Sequence, residues 1–363
     1  MSSPAKSSKP TLEKGGAVTR SGQTPADPVL DVDDLRVWYA GAGGPIKAVD
    51  GVSFTLRRGE VLGLVGESGC GKSTLGRGLI GLTPGGAAMD GRIRFGGRNL
   101  VDLPAKDWPA VRGAGLGMIF QEPMTRLDPL MRISAHFREA IRSHEKISKR
   151  NADVRALETL RSLGIPPSRY QNYPHEFSGG MRQRIMIALA LALRPAFVVA
   201  DEPTTALDVL VEAQIIKILG QIRSTFSPAM LLITHNLGIV GQACDRVAVM
   251  YAGRIVEQGT VSEVFADPQH PYTRQLLGST ISLTTTELRT IPGAPPDLGN
   301  PPPGCRFHTR CPHAMAVCAD LLPVTTVFPT GREVECHLQQ LDSLSESQRA
   351  PLIHREVLVA DEA

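Results

Sequence analysis

Residues Gly66-Glu67-Ser68-Gly69-Cys70-Gly71-Lys72-Ser73-Thr74 fit the pattern G-x-x-x-x-G-K-[ST] through Gly66, Gly71, Lys72 and Ser73. Glycines at these places permit positive φ and let backbone N–H groups approach a polyphosphate closely. Val61-Leu62-Gly63-Leu64-Val65, just before, reads as a short buried strand, and Thr74 to Leu82 reads as a helix whose positive end faces the phosphates. Lys72 is then placed to reach the β- and γ-phosphates, and the Ser73 hydroxyl to bind Mg²⁺. A glycine-rich turn with a solvated lysine is the bland alternative; a strand before and a helix after argue against it.

Working outward, Phe197-Val198-Val199-Ala200-Asp201-Glu202 is an apolar strand ending in two carboxylates. Ligands of α/β sheets bind at that end of the strands. Asp201 is the candidate to hold Mg²⁺, directly or through water, and Glu202 the candidate to orient or deprotonate an attacking water.

Between these anchors lies Ser178-Gly179-Gly180, followed by Met181-Arg182-Gln183-Arg184. With it the chain resembles the ATP-binding cassette family, in which two cassettes pack head to tail and the signature of one closes over the ATP held by the other. Ser178 is suited to open a helix with its hydroxyl and the glycine N–H groups aimed at anionic oxygen, and Ile185 to Leu193 would be the helix's buried body. Three single residues extend the resemblance. Gln121, after the strand Leu116 to Phe120, matches the Q-loop that contacts Mg²⁺ and water and senses a transmembrane partner. Asp208 matches the D-loop that crosses the dimer interface. His235, after the strand Leu231 to Thr234, matches the switch histidine at the γ-phosphate. Tyr39 is a candidate to stack on adenine, or is simply a core tyrosine of the first strand. Phe177 stands where many members have Leu, and Asn236 where Asp is common. The implied fold is α/β: a P-loop ABC-type nucleotide-binding domain with a RecA-like core, an antiparallel β subdomain, a helical subdomain near residues 122–180, and a small Cys-rich C-terminal extension.

Composition agrees. The chain has 363 residues, 42% hydrophobic and only 5% aromatic, which suits an α/β core of Val, Ile, Leu and Ala. A net charge of +3 is too small to imply nucleic-acid binding. The longest apolar run, Ile185 to Leu193, is far short of a membrane span. Residues 1–28 are rich in Ser, Gly, Pro and Lys and read as a disordered tail, neither a secretory signal nor a folded segment. A cassette over residues 29–279, an extension over 280–341 and a tail over 342–363 follow. Ser134 to Leu163 reads as a helical insertion, Val209 to Ile222 as a helix with one core face, and Val247–Tyr251 and Arg254–Gln258 as strands joined by the turn Ala252-Gly253. No internal repeat is visible, so a working pair needs a second copy or a homologous partner.

Past the cassette, Pro292, Pro295, Pro296, Pro301, Pro302 and Pro303 suggest a stiff extended linker. Then come Cys305, Cys311, Cys318 and Cys336. Nothing indicates a secreted protein, which disfavours disulfides. Zinc sites favour closer C-x₂₋₄-C pairs than Cys305 to Cys311 offers; a [4Fe–4S] cluster takes four thiolates without that demand; unligated thiols are also open. Cys70, at a variable position of the loop, and Cys244, in a helix, read as small buried residues. The segment Gly304 to Pro312 resembles the C-terminal extension of oligopeptide/dipeptide importer ATPases. So do Phe120 to Met124, Pro174 to Phe177 and Glu202 to Asp208. That resemblance implies an iron–sulfur cluster on the four cysteines, with zinc or empty thiols as alternatives.

The resemblance also implies an ATPase, ATP and water going to ADP and phosphate, that energises peptide uptake. It implies a second ATPase subunit, two transmembrane permease subunits and an extracytoplasmic substrate-binding protein, with the chain peripheral on the cytoplasmic face of the inner membrane. Nickel, glutathione and oligosaccharides are alternative cargoes. A soluble cassette acting on nucleic acid is the rival class. Its repair relatives split the two anchors by very long insertions, and its translation relatives carry two cassettes; neither feature is present.

Overall fold

The computed structural model describes residues 27–113, 115–120, 127–203, 209–279 and 290–352, with backbone alone for 209–215. Gln121 and Asp208 lie outside the described residues.

The chain opens with an antiparallel pair, β1 (Leu30–Gly41) and β2 (Gly44–Leu56), and continues into β3 (Val61–Val65) and α1 (Lys72–Leu79). Strands β4 (Ala88–Phe95) and β5 (Arg98–Asn99) return to the first pair, before α2 (Trp108–Val111) and β6 (Leu116–Ile119). A helical region follows: α3 (Ile133–His144), α4 (Lys149–Ser162) and α5 (Gly179–Leu191). Strands then alternate with helices: β7 (Phe197–Asp201), α6 (Val209–Phe226), β8 (Ala229–Ile233), α7 (Leu237–Ala243) and β9 (Arg246–Tyr251). The hairpin strand β10 (Arg254–Thr260), α8 (Val261–Ala266) and α9 (Pro271–Gly278) precede α10 (Ala316–Asp320), β11 (Thr325–Val327), β12 (Glu333–Glu335) and α11 (Glu346–Arg349).

Two sheets result, one ordered β2-β1-β4-β5 and one ordered β11-β12-β10-β9-β3-β8-β7-β6. The middle of the second is parallel, and every residue of β3, β7 and β8 is buried. Strands covered on both faces read as unbroken apolar runs, which is why the sequence marks them so clearly. The first sheet packs on α1 and this core through Val37, Val49, Leu62, Leu64 and Leu75. On the other face Ile133, Phe137 and Ile141 of α3, Ala152 and Leu160 of α4, and Ile185 and Leu191 of α5 share one apolar cluster.

Three local outcomes differ from expectation or refine it. Helix α1 begins at Lys72 rather than Thr74, because Gly71, with φ 106°, takes the cap position itself. The insertion at Ser134–Leu163 is two helices, broken where Ser148 accepts from the Asn151 N–H and so caps α4. The proline-rich segment is no free spacer: the Leu298 carbonyl accepts from the Lys47 N–H at 2.9 Å, and Ile291 and Leu298 pack with Tyr251, Tyr272 and Phe307. Its contacts are long-range, and local composition carries no trace of them. The extension also continues the central sheet, with Val334 of β12 paired to Glu257 of β10.

Candidate nucleotide site

Register brings the site together. Leu64 of β3 pairs with Ile233 of β8, and Ile233 with Asp201 of β7, so three adjacent parallel strands end at one level. The 66–74 loop, His235 and the Asp201-Glu202 pair follow those ends directly.

The loop needs its glycines. A Cβ on Gly66 would lie 2.1 Å from the Met250 carbonyl oxygen, and one on Gly71 2.0 Å from that of Ala48; both residues have positive φ. Lys72 is buried, and its ammonium donates to the Gly66 and Glu67 carbonyls, each at 2.8 Å. The Ser73 hydroxyl donates to Asp201 Oδ1 at 2.9 Å. Burial pushes the Asp201 carboxyl above its ordinary range, and the Ser73 bond and nearby Arg77 and Lys72 work against that. A hydroxyl and a buried carboxylate this close are the donor set an oxygen-loving divalent ion such as Mg²⁺ takes.

Glu202 sits at φ 45°, a region a bulky residue enters only when its surroundings impose it. Its N–H donates to the Ile233 carbonyl at 2.9 Å, which fixes that conformation. Its Oε1 lies 3.5 Å from His235 Nδ1, and the imidazole is 67% exposed. The Thr234 N–H donates to the Leu64 carbonyl, and Asn236 caps α7 by accepting from Gly238 and Ile239. His235 is thereby presented beside Glu202 on a short rigid turn.

The cleft is lined by Ala48, Ser68, Gly69, Gly71, Lys72, Ser73, Thr74, Glu202 and Leu298. Tyr39 is not on its wall; its hydroxyl reaches Thr74 Oγ1 at 3.4 Å from the side. Ser178, Gly179 and Gly180 are also absent from the wall. Ser178 caps α5, accepting from the Met181 N–H at 3.4 Å. From inside that helix Gln183 donates to the Pro203 carbonyl at 2.7 Å, linking it to the segment after Glu202. Cys70 is buried within the loop. Cys244 does not lie inside a helix; it ends α7, and burial holds its thiol up at about 12.

The extension supplies what the sequence reading missed: Leu298 on the cleft wall and Arg310 on the loop residue Glu67. The available signal was the pair Arg306 and Arg310 inside the Cys305–Cys311 segment. Both are buried and both pair with carboxylates of the cassette, Asp50 and Glu67. Buried arginines are rarely without such partners.

Of the four tail cysteines Cys318 and Cys336 are buried and Cys305 and Cys311 half-buried, and none is in a disulfide. Burial, and then the neighbouring cysteines, push Cys305, Cys311 and Cys336 up to about 12; burial raises Cys318 as well. The Cys305 N–H donates to the Cys318 carbonyl at 2.8 Å. Among the described residues no three His, Cys, Asp or Glu side chains are grouped tightly enough for a single metal ion.

A phosphate loop, an acidic strand end and a histidine at the C-terminal ends of the parallel strands of a mixed sheet define a P-loop ATPase of the cassette kind. Residues 49–205 match the family model "ABC transporter", and residues 256–318 the model "Oligopeptide/dipeptide transporter, C-terminal region". The dipeptide transport ATP-binding protein DppD of Bacillus subtilis is 48% identical over 86% of this chain and 95% of its own length. The oligopeptide transport ATP-binding protein OppD of Salmonella typhimurium is 45% identical over 86% and 94%. Among solved structures, cbiO1 of Clostridium perfringens, part of the ABC transporter complex cbiONQ, superposes with a TM-score of 0.58 at 30% identity, covering 66% of this chain and 92% of cbiO1. The dimeric cassette MJ0796 shares the fold at 24% identity, with a TM-score of 0.56 over 64% of this chain and 98% of that one. The chain belongs to the ATP-binding proteins of ABC transporters, in the oligopeptide/dipeptide group, and the reaction of that class is ATP hydrolysis coupled to transport. No helix among the described residues is long and apolar enough to cross a membrane.

Proposed function

We propose that this protein is the ATP-hydrolysing subunit of a peptide importer, acting with two permease subunits and an extracytoplasmic peptide-binding protein. The observation that carries the proposal is the pairing of a cleft lined by the 66–74 loop and Glu202 with an extension of the oligopeptide/dipeptide type joined to the same sheet. Lys72 and the loop N–H groups bind the phosphates, Ser73 and Asp201 hold Mg²⁺ with Gln121, Glu202 positions the water, and His235 steadies the γ-phosphate. Bound Mg²⁺ supplies neutralisation of developing charge. Ser178, Gly179 and Gly180 serve the cleft of a second ATPase chain, identical or homologous, across an interface that includes Asp208; their absence from this chain's own cleft wall supports that division. Tyr39 stands beside the loop to meet the base. The protein acts at the cytoplasmic face of the membrane.

Cys305, Cys311, Cys318 and Cys336 fit a [4Fe–4S] cluster better than one zinc ion. Cys305, Cys311 and Cys336 lie near enough to neighbouring cysteines to feel their charge, and a cluster takes four thiolates without the close C-x₂₋₄-C pairs that zinc favours. The cluster would fasten the extension and supply no step of hydrolysis. Proteoliposomes holding the permeases and this subunit should accumulate peptide only with ATP and binding protein; uptake of nickel, glutathione or oligosaccharide in place of peptide would overturn the cargo. Anaerobically purified protein should contain iron and sulfide, lost in Cys311→Ser; one equivalent of zinc instead would overturn the cluster.

A further inference from the structure

We propose that Arg310 is a positioning residue for the phosphate-binding loop, so that the C-terminal extension completes the nucleotide site of its own chain. The inference rests on the assignment of Gly66–Thr74 as that loop.

Glu67 is an awkward residue for such a place, since a free carboxylate there repels a polyphosphate. Arg310 answers the problem. Its Nη1 donates to Glu67 Oε2 at 2.7 Å and its Nη2 to Oε1 at 3.0 Å, a two-pronged pair whose guanidinium is only 4% exposed. The remaining donors are used too: Nε on the Pro292 carbonyl at 2.7 Å, Nη1 also on the Tyr251 hydroxyl at 3.2 Å, and Nη2 also on the Ile291 carbonyl at 3.3 Å. A lysine has no such planar fork.

The rest of Glu67 is held as well. Its N–H donates to the Tyr272 hydroxyl at 2.9 Å, and its carbonyl accepts from the Lys72 ammonium at 2.8 Å. The Tyr272 and Tyr251 rings meet at a tilt of 55° with centroids 4.5 Å apart, and Phe307 of the extension meets Tyr251 edge-on at 5.1 Å. Arg310 therefore both cancels the Glu67 charge and fixes the carbonyl that receives Lys72. On this account the extension is a working part of the cleft, since the same segment also places Leu298 on its wall.

The test uses full-length protein and fluorescence titration with MgADP, which engages one loop without the opposite signature. Arg310→Met should weaken ADP binding about tenfold, because the loop regains an unbalanced carboxylate. Glu67→Gln in the Arg310→Met background should recover most of that loss in ADP affinity; for an arginine that only holds the fold, the second change moves the urea midpoint and leaves the ADP affinity of the folded protein unchanged. Unchanged affinity in a folded Arg310→Met variant, or a double variant no better than the single one, overturns the proposal. If Arg310→Met does not fold, Arg310→Lys decides: it keeps the charge and loses the fork, and should bind several-fold more weakly, whereas wild-type affinity overturns the role. Lys72→Ala is the control: should it bind ADP normally, the loop assignment itself fails; should it lose ADP while Arg310→Met does not, the inference alone fails.

Discussion

At Glu202 the backbone conformation and the chemistry belong together: φ 45° aims the carboxylate at His235 instead of along the strand. Replacing it with Gln keeps the shape and removes the carboxylate proposed to position or deprotonate the water. Glu202→Gln should lower phosphate release about 10²–10⁴-fold while ATP binding persists, and ATP should then hold a stable dimer in size-exclusion chromatography. Normal turnover would remove Glu202 from the reaction. Lys72→Ala should abolish turnover by stripping the loop of its ammonium. A third residue bears on acid stability. His270 is fully buried, its Nδ1 accepts from the Tyr272 N–H at 3.0 Å, and burial lowers its pKa from 6.5 to about 3. Between those values the unfolded chain takes up a proton that the folded chain refuses, so stability present above pH 6.5 is lost as pH falls. By pH 5 the loss is about 2 kcal/mol. His270→Asn, which can keep the cap on α9, should flatten urea midpoints over that range.

Elements fall into two groups by how their burial is arranged. Strands β3, β7 and β8 are covered on both faces, and their apolar runs named them in advance. The loop, the acidic pair and His235 were legible because each follows such a strand directly. Strands β11 and β12, three residues apiece, were not. They form only because β10 offers an edge, a fact about residues about 75 positions away. Leu298 escaped for the same reason, since nothing local tells a docked proline segment from a spacer; Arg310 had only the local hint of two arginines within the Cys305–Cys311 segment, and its partner Glu67 is 243 residues away. The β10–β12 junction carries its own prediction. Arg332 pairs with Glu257, whose side chain is wholly buried and also accepts from the Gln269 and His270 N–H groups. Arg332→Met should cost about 3–5 kcal/mol by leaving that carboxylate uncompensated, and adding Glu257→Gln should return part of it in urea unfolding.

For the molecule as a whole, the extension closes one edge of the eight-stranded sheet while the nucleotide cleft opens from its parallel middle. Removing residues 280–363 should not yield a minimal ATPase. It would bare β10 as an open edge and strip Phe307 from the aromatic cluster, so the fragment should elute as aggregate instead of monomer. A soluble fragment binding ADP as well as the full chain would contradict this picture. The same arrangement sets a timetable for synthesis. Glu67 leaves the ribosome 243 residues ahead of Arg310, an interval of about 12–50 s at about 5–20 residues per second. For that time the nascent cassette waits with its loop unclamped and an edge strand open, and residues made late, Arg310 and β12, determine whether a loop made early is ever finished.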